Sequence, residues 1–150
     1  MALELLLLRH GEAMLSLPDA KRSLSVRGIE QTRAVLKRRI EALSGLTAVY
    51  VSPLRRAQQT LGLVAEIIEL PAPLRFDGLQ PEASVTQLIE WLQPQQGKIL
   101  LVAHNPLLSY LLGRLLGEGP VYTFDTSTLV CTTMPVAAAG CADLSWIESP

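Results

Sequence analysis

The sequence contains two histidines, His10 and His104, and each directly follows a short apolar run. The runs before them are Leu3–Leu8 and Lys98–Ala103, and a third run, Ala48–Val51, is followed closely by a pair of arginines. Short apolar runs with polar flanks are typical of buried strands, and ligands of open α/β sheets collect beyond the carboxyl ends of the strands. We therefore expect one pocket that holds two imidazoles and several guanidiniums.

Such a pocket favours a phosphate group over a metal ion. Arginine donates two parallel hydrogen bonds to two phosphate oxygens, whereas fixed positive charge disfavours a divalent cation. Helix N-termini at Pro53 and Pro106 would add further donors. One histidine could act as a nucleophile while the arginines and the other imidazole stabilise the transferring phosphoryl group. This chemistry needs neither a metal nor an organic cofactor, and none is expected.

The elements that must position these residues alternate along the chain. Ser25 is expected to cap a helix from Val26 to Leu43, and Asn105 to cap a helix that runs from Pro106 to about Leu116. Further helices are predicted at residues 54–68 and 84–92, and strands at residues 126–134 and 141–147. This order predicts an α/β fold: a three-layer arrangement with a mostly parallel central sheet flanked by helices, and a C-terminal β-hairpin.

The amino-acid composition and charge of the chain exclude several classes of protein. The chain has 150 residues, 13 basic and 14 acidic, so the expectation is one domain over residues 1–150 with no surplus of positive charge for nucleic acid. Hydrophobic residues make up 49%, which excludes disorder, and no apolar run approaches the roughly 18 residues that a membrane span needs. Leu5–Leu8 does not resemble a signal peptide, and two cysteines make neither a disulfide scaffold nor a zinc pattern. A cytoplasmic protein without a membrane partner is expected.

Three segments carry a family resemblance. Leu8–Gly11 reads L-R-H-G, Val51–Thr60 reads V-S-P-L-R-R-A-Q-Q-T, and a later strand ends in His104. Together and in this order they resemble the signature of the histidine phosphatase superfamily, which has the phosphoglycerate-mutase-like fold. The size of the chain, the segment Arg22–Gly28 and the terminal hairpin resemble the SixA-type phosphohistidine phosphatases, and the resemblance covers essentially the whole chain.

The resemblance implies roles for five residues. His10 matches the family nucleophile, and Arg9 matches the phosphate-binding arginine beside it. Arg56 matches the motif arginine because it directly precedes Ala-Gln-Gln-Thr. His104 matches the second histidine of the phosphate pocket. Arg22 matches a further phosphate-binding arginine of the SixA-type loop.

One segment departs from the family pattern. Many members place a glutamate after the third strand as a general acid, but residues 76–82 read F-D-G-L-Q-P-E. The resemblance to SixA-type members puts Gly78 at the position of that glutamate. Asp77 and Glu82 are candidates for the general acid, and the sequence does not choose between them. An imidazole leaving group, with a pKa near 6.5, needs less help from an acid than an alkoxide does. The pocket is therefore expected to suit P–N bonds better than P–O bonds.

The leading functional interpretation is a phosphohistidine phosphatase that forms a covalent phospho-His10 intermediate. Its expected partner is a phosphohistidine-bearing protein, such as a histidine phosphotransfer domain, because a short chain with few insertions leaves the pocket open. Two alternatives remain: a small-molecule phosphomonoesterase and a non-catalytic phosphoprotein-binding module. A mutase is disfavoured by the length of the chain.

Overall fold

A central six-stranded sheet organises the protein, which is described here from a computed structural model covering residues 2–120 and 122–150. The order across the sheet is β3-β2-β4-β1-β5-β6. The strands are β1 (Leu3–Arg9), β2 (Ala48–Val51), β3 (Leu74–Arg75), β4 (Gly97–Ala103), β5 (Leu129–Met134) and β6 (Asp143–Glu148).

Strand direction determines where the site can form. β4 pairs in parallel with both β1 and β2, and β2 pairs in parallel with β3, whereas β5 and β6 are antiparallel additions at one side. The carboxyl ends of β1, β2 and β4 therefore meet at one edge of the sheet. The predicted fold class, including the C-terminal hairpin, is confirmed.

Helices cover both faces of the sheet and complete the three layers. Alternate residues of a strand point to opposite faces, so Leu5 and Leu7 of β1 belong to one core and Leu6 and Leu8 to the other. The first core packs against α3 and α4, and the second packs against α1 and α2. The helices are α1 (Val26–Arg38), α2 (Arg55–Ala65), α3 (Val85–Leu92) and α4 (Leu107–Leu116). None of the helices in the described residues is long and apolar enough to cross a membrane.

Two helix predictions need correction. The helix expected over residues 26–43 ends at Arg38, and a 3-10 turn, Ile40–Leu43, follows a break at Arg39. Arg39 is engaged elsewhere: its guanidinium lies 4.1 Å from the ring centre of Trp146 and its Nε donates to Glu148 at 2.9 Å. The helix expected over residues 54–68 ends at Ala65, and its last turn continues only as irregular turns.

Of the two predicted helix N-caps, Ser25 is confirmed and Asn105 is wrong. Ser25 does cap α1, since its Oγ accepts a hydrogen bond from the Gly28 amide. Asn105 does not cap α4 with its side chain. Its Nδ2 instead donates to the Phe124 carbonyl at 3.0 Å, and the backbone position of the cap is taken by Pro106. Its Oδ1 accepts from the Ser109 hydroxyl at 3.1 Å and not from a backbone amide of α4.

Candidate active site

His10 lies directly after β1 with its ring almost fully enclosed, at 7% exposure. Its Nδ1 is 2.7 Å from the carbonyl oxygen of Gly11. A carbonyl can only accept, so the hydrogen bond places the proton on Nδ1. In the neutral ring, Nε2 then carries the lone pair and is the nitrogen available for attack.

Two glycines and a threonine hold the loop that carries His10. The Gly11 amide donates to Thr60 Oγ1 of α2 at 3.0 Å, which ties the loop to the second motif. A Cβ on Gly28 of α1 would lie 2.2 Å from the carbonyl oxygen of Glu12, and a Cβ on Gly11 would lie 2.8 Å from Oγ1 of Thr32. Only glycine permits α1 to approach the loop this closely.

His104 follows β4, and its ring centre lies 5.0 Å from that of His10. Its Nε2 is 2.6 Å from Oγ of Ser52, which follows β2. The same Oγ accepts the Leu54 amide at 3.3 Å, and the Ser52 hydroxyl proton can be donated to His104 Nε2. In that tautomer, Nε2 of the neutral ring accepts and its single ring proton is on Nδ1.

Three buried side-chain nitrogens lack a hydrogen-bond partner within the described part of the chain: Arg9 Nε, Arg56 Nε and His104 Nδ1. All three belong to residues that the sequence assigned to a phosphate pocket. Buried donors are nearly always paired in proteins, so such a group points to a bound acceptor. Other nitrogens of the two guanidiniums fix their positions, since Arg9 Nη1 donates to the Phe124 carbonyl at 2.6 Å and Arg56 Nη1 donates to the Asp19 carbonyl at 3.0 Å.

Asp19 links Arg56 to Arg22. Its carboxylate accepts from Arg56 Nη2 at 3.2 Å and from Arg22 Nη1 at 3.3 Å. Arg22 also donates to the backbone carbonyls of Met14 and Ala13. Desolvation would raise the pKa of the Asp19 carboxyl, but the hydrogen bonds and charges of the two arginines lower it below its usual value. The predicted Arg22 is thus held beside Arg56 by a residue that the sequence did not single out.

The environment keeps both imidazoles neutral near pH 7. Burial and the positive charges of Arg9, Arg56 and Arg22 together lower the pKa of His10 to about 4, against the opposing effect of the Gly11 hydrogen bond. Burial also lowers the pKa of His104 to about 3, with further contributions from His10, Arg56 and Arg9. A neutral imidazole among guanidiniums has the protonation state that a nucleophile needs.

This architecture is found in known proteins. The profile of the family described as "Histidine phosphatase superfamily (branch 1)" matches residues 5–79, which is half of the chain. The chain belongs to the histidine phosphatase superfamily. It is 29% identical over 155 aligned residues to phosphohistidine phosphatase SixA of Escherichia coli (strain K12), covering 99% of this chain and 94% of the relative.

Solved structures agree with this assignment. The structure of the protein histidine phosphatase SixA complexed with tungstate superposes with a TM-score of 0.88 at 29% identity, covering 98% of this chain and 97% of the other. Phosphoglycerate mutase from Plasmodium falciparum superposes with a TM-score of 0.70 over 97% of this chain and 89% of its own, at 14% identity. That second likeness shows the fold alone and bears out the expected phosphoglycerate-mutase-like architecture.

The two acid candidates of this histidine phosphatase follow β3, which ends at the same edge of the sheet as β1, β2 and β4. Asp77 is exposed and lines a shallow depression together with Ser84 and other residues that precede or begin α3. Glu82 is exposed in the turn before α3. In the described residues, no hydrogen bond or ion pair joins either carboxylate to the histidines or arginines of the pocket. A Cβ on Gly78 would lie 2.4 Å from the ring of Phe76, so this ring occupies the space that a larger residue would need.

Three contributors were missed by sequence reasoning: Ser52, Thr60 and Asp19. Ser52 and Thr60 belong to the second motif, so the motif itself was the available signal, although their partners His104 and Gly11 could not be assigned without the fold. Asp19 gave no signal, because it lies in a polar loop where an exposed aspartate is ordinary.

Proposed function

We propose that this chain is a single-domain phosphohistidine phosphatase that dephosphorylates a histidine of another protein through a phospho-His10 intermediate. The observation that carries the proposal is the set of unpartnered donors, Arg9 Nε, Arg56 Nε and His104 Nδ1, beside a neutral His10 whose Nε2 is free. A phosphoryl group bound there would supply acceptors for the donors and place its phosphorus next to the nucleophile.

In the first step, His10 Nε2 attacks phosphorus in line with the P–N bond of the substrate. A new Nε2–P bond forms, the substrate P–N bond breaks, and its electron pair stays on the departing imidazole nitrogen. Arg9, Arg56 and Arg22 neutralise the equatorial oxygens, and His104 donates to one of them from Nδ1. If the second nitrogen of the substrate imidazole carries a proton, the leaving group departs as neutral imidazole.

In the second step, water attacks phospho-His10. An O–P bond forms, the Nε2–P bond breaks, and its electron pair returns to Nε2. Both protons of the water leave with the phosphate product, so the enzyme returns to its starting state. His10 must be neutral to begin the next cycle, and its lowered pKa keeps it so throughout the neutral range.

The P–N substrate class is supported by the chemistry of the leaving group and by the contacts of the two candidate carboxylates. The alkoxide leaving group of a phosphate ester needs a proton from an acid, whereas imidazole is a good leaving group without one. Asp77 and Glu82 remain the proposed acid candidates, and in the described residues neither forms a hydrogen bond or ion pair with the pocket residues, which favours P–N over P–O chemistry. The named activity of the E. coli relative agrees with this choice, and the tungstate oxyanion bound by the solved SixA structure agrees with a pocket for a phosphoryl group.

The proposed partner is a phosphohistidine-bearing protein such as a histidine phosphotransfer domain, with no role for nucleic acid or a membrane. The proposed location is the cytoplasm, where free thiols such as those of Cys131 and Cys141 stay reduced. No metal or cofactor enters the proposed mechanism, because the nucleophile and all charge-stabilising groups are side chains.

The test offers three substrates to one preparation: a phosphohistidine protein, a phosphoserine peptide and a sugar phosphate. We expect kcat/KM for phosphohistidine to exceed the other two values by at least a hundredfold. Comparable rates on the sugar phosphate would instead indicate a small-molecule phosphomonoesterase. Tight binding of the phosphoprotein without phosphate release would indicate a non-catalytic binding module.

A further inference from the structure

The loop between β1 and α1 exposes apolar side chains. Leu15 and Leu17 are each 93% exposed, and Met14 is 52% exposed. Single exposed apolar residues are ordinary on protein surfaces, but several clustered beside a functional pocket indicate an interaction site. We define residues 14–17 as the apolar loop.

The apolar loop is physically continuous with the phosphate pocket. Arg22 Nε donates to the carbonyl oxygen of Met14 at 2.8 Å, so one of the proposed phosphate-binding residues anchors the loop. An open depression of about 400 Å³ is lined by loop residues together with two pocket residues: Leu15, Ser16, Leu17, Asp19 and Arg22. The two leucines and Arg22 therefore face the same open depression.

Positive charge flanks the apolar loop. Lys21 and Arg55 are both exposed, and Arg55 Nη1 donates to the backbone carbonyl of Lys21 at 3.1 Å. We call the surface formed by the apolar loop, Lys21 and Arg55 the rim. Asp19 is nearby, but its carboxylate is paired with Arg22 and Arg56. Among the described residues, neither Lys21 nor Arg55 forms an ion pair. The rim therefore offers apolar contacts next to positive charge, which complements a surface with apolar and acidic residues.

We infer that the apolar loop is the docking surface for the protein that carries the phosphohistidine. This inference rests on the proposed function and specifies how that site recognises its substrate. His10 is only 7% exposed, so the phosphorylated side chain enters the pocket while the protein surface around it covers the rim. The partner face therefore presents apolar side chains and carboxylates close to its phosphohistidine.

The test compares two substrates and two variants. The variant Leu15→Ser/Leu17→Ser removes the apolar contacts at positions so exposed that folding should be unaffected. The matched control is Val136→Ser: Val136 is 42% exposed and follows β5, whose end at Met134 pairs with Leu3 at the opposite edge of the sheet from the pocket. The substrates are a phosphohistidine protein and phosphoramidate, a small P–N compound that makes no contact with the rim.

We expect the double variant to lose about tenfold in kcat/KM on the phosphoprotein, equivalent to about 1.4 kcal/mol, with phosphoramidate turnover unchanged. The control should match the wild type on both substrates. Equal losses on both substrates, or no loss on either, would overturn the docking inference while leaving phosphatase activity established. Failure of the wild type to hydrolyse either P–N bond would refute the proposed function itself.

Two other binding partners of the apolar loop, a second copy of this chain and a lipid membrane, are tested in parallel. Sedimentation would overturn the inference if the wild type is a dimer at assay concentration and the double variant is a monomer. Flotation with anionic lipid vesicles would overturn it if the wild type binds and the double variant does not. A wild type that is monomeric and does not bind the vesicles supports docking of the phosphoprotein.

Discussion

Lowering the pH from 7.5 to 5 should destabilise this protein through its two histidines. Burial holds the pKa of His10 at about 4 and that of His104 at about 3, whereas an unfolded histidine titrates near 6.5. As the pH falls through 6.5, the unfolded chain therefore takes up two protons that the folded protein rejects. The free energy of unfolding that the two neutral histidines contribute is fully present above about pH 6.5 and declines as the pH falls towards 4.

The magnitude follows from the same pKa values. At pH 5 the unfolded histidines are almost fully protonated and the folded ones are mostly neutral, so each contributes about 2 kcal/mol of destabilisation relative to pH 7.5. The two together contribute about 4 kcal/mol, a large fraction of a typical domain stability. The result depends little on the folded pKa values, because both lie below the lower pH of the comparison.

Urea unfolding at pH 7.5 and pH 5 measures this difference. The variants His10→Asn and His104→Gln each keep an amide near one imidazole nitrogen and should each remove about half of the pH dependence, or about 2 kcal/mol. Carboxylates such as Asp19 also titrate towards acid pH, but the histidine variants leave their contribution in place. A wild-type difference below about 1 kcal/mol, or one that survives both replacements, would refute the reasoning.

Two further substitutions test the supports of the pocket. Ser52→Ala removes the hydroxyl that donates to His104 Nε2 at 2.6 Å, so turnover should fall at least tenfold and stability by about 1–3 kcal/mol, and ¹⁵N spectra should show the ring proton of His104 no longer confined to Nδ1. An unchanged tautomer would contradict the assigned hydrogen bond. Gly28→Ala places a Cβ 2.2 Å from the Glu12 carbonyl oxygen, so urea unfolding should show a loss of about 1–3 kcal/mol. Wild-type stability in this variant would show that α1 does not need its close approach to the loop.

The sequence predicted the layers and the edge of the sheet that holds the pocket, because parallel strands end on the same side. His10 and His104 could be placed together from that rule alone, and the structure brings their ring centres to 5.0 Å. The helix ends were less predictable. The first helix ends before Arg39, whose side chain contacts Trp146 and Glu148, more than 100 residues away along the chain.

Side-chain chemistry at the site was the least predictable part. The proton positions in the two imidazoles depend on the partners Gly11 and Ser52, and the second of these is brought to His104 only by the pairing of β2 with β4. The link from Arg22 through Asp19 to Arg56 depends on the path of an irregular loop. Such contacts follow from tertiary geometry and not from spacing along the chain.

His10 Nε2 should become phosphorylated during turnover. The measurement is a rapid acid-free quench of the enzyme with a phosphohistidine protein, followed by ³¹P NMR and by mass spectrometry of the peptide that contains residue 10. We predict a base-stable, acid-labile phosphoryl group on Nε2 of His10, absent from the His10→Ala variant, which should fold but not turn over. Turnover that persists in His10→Ala, or a phosphoryl group on another residue, would contradict the account.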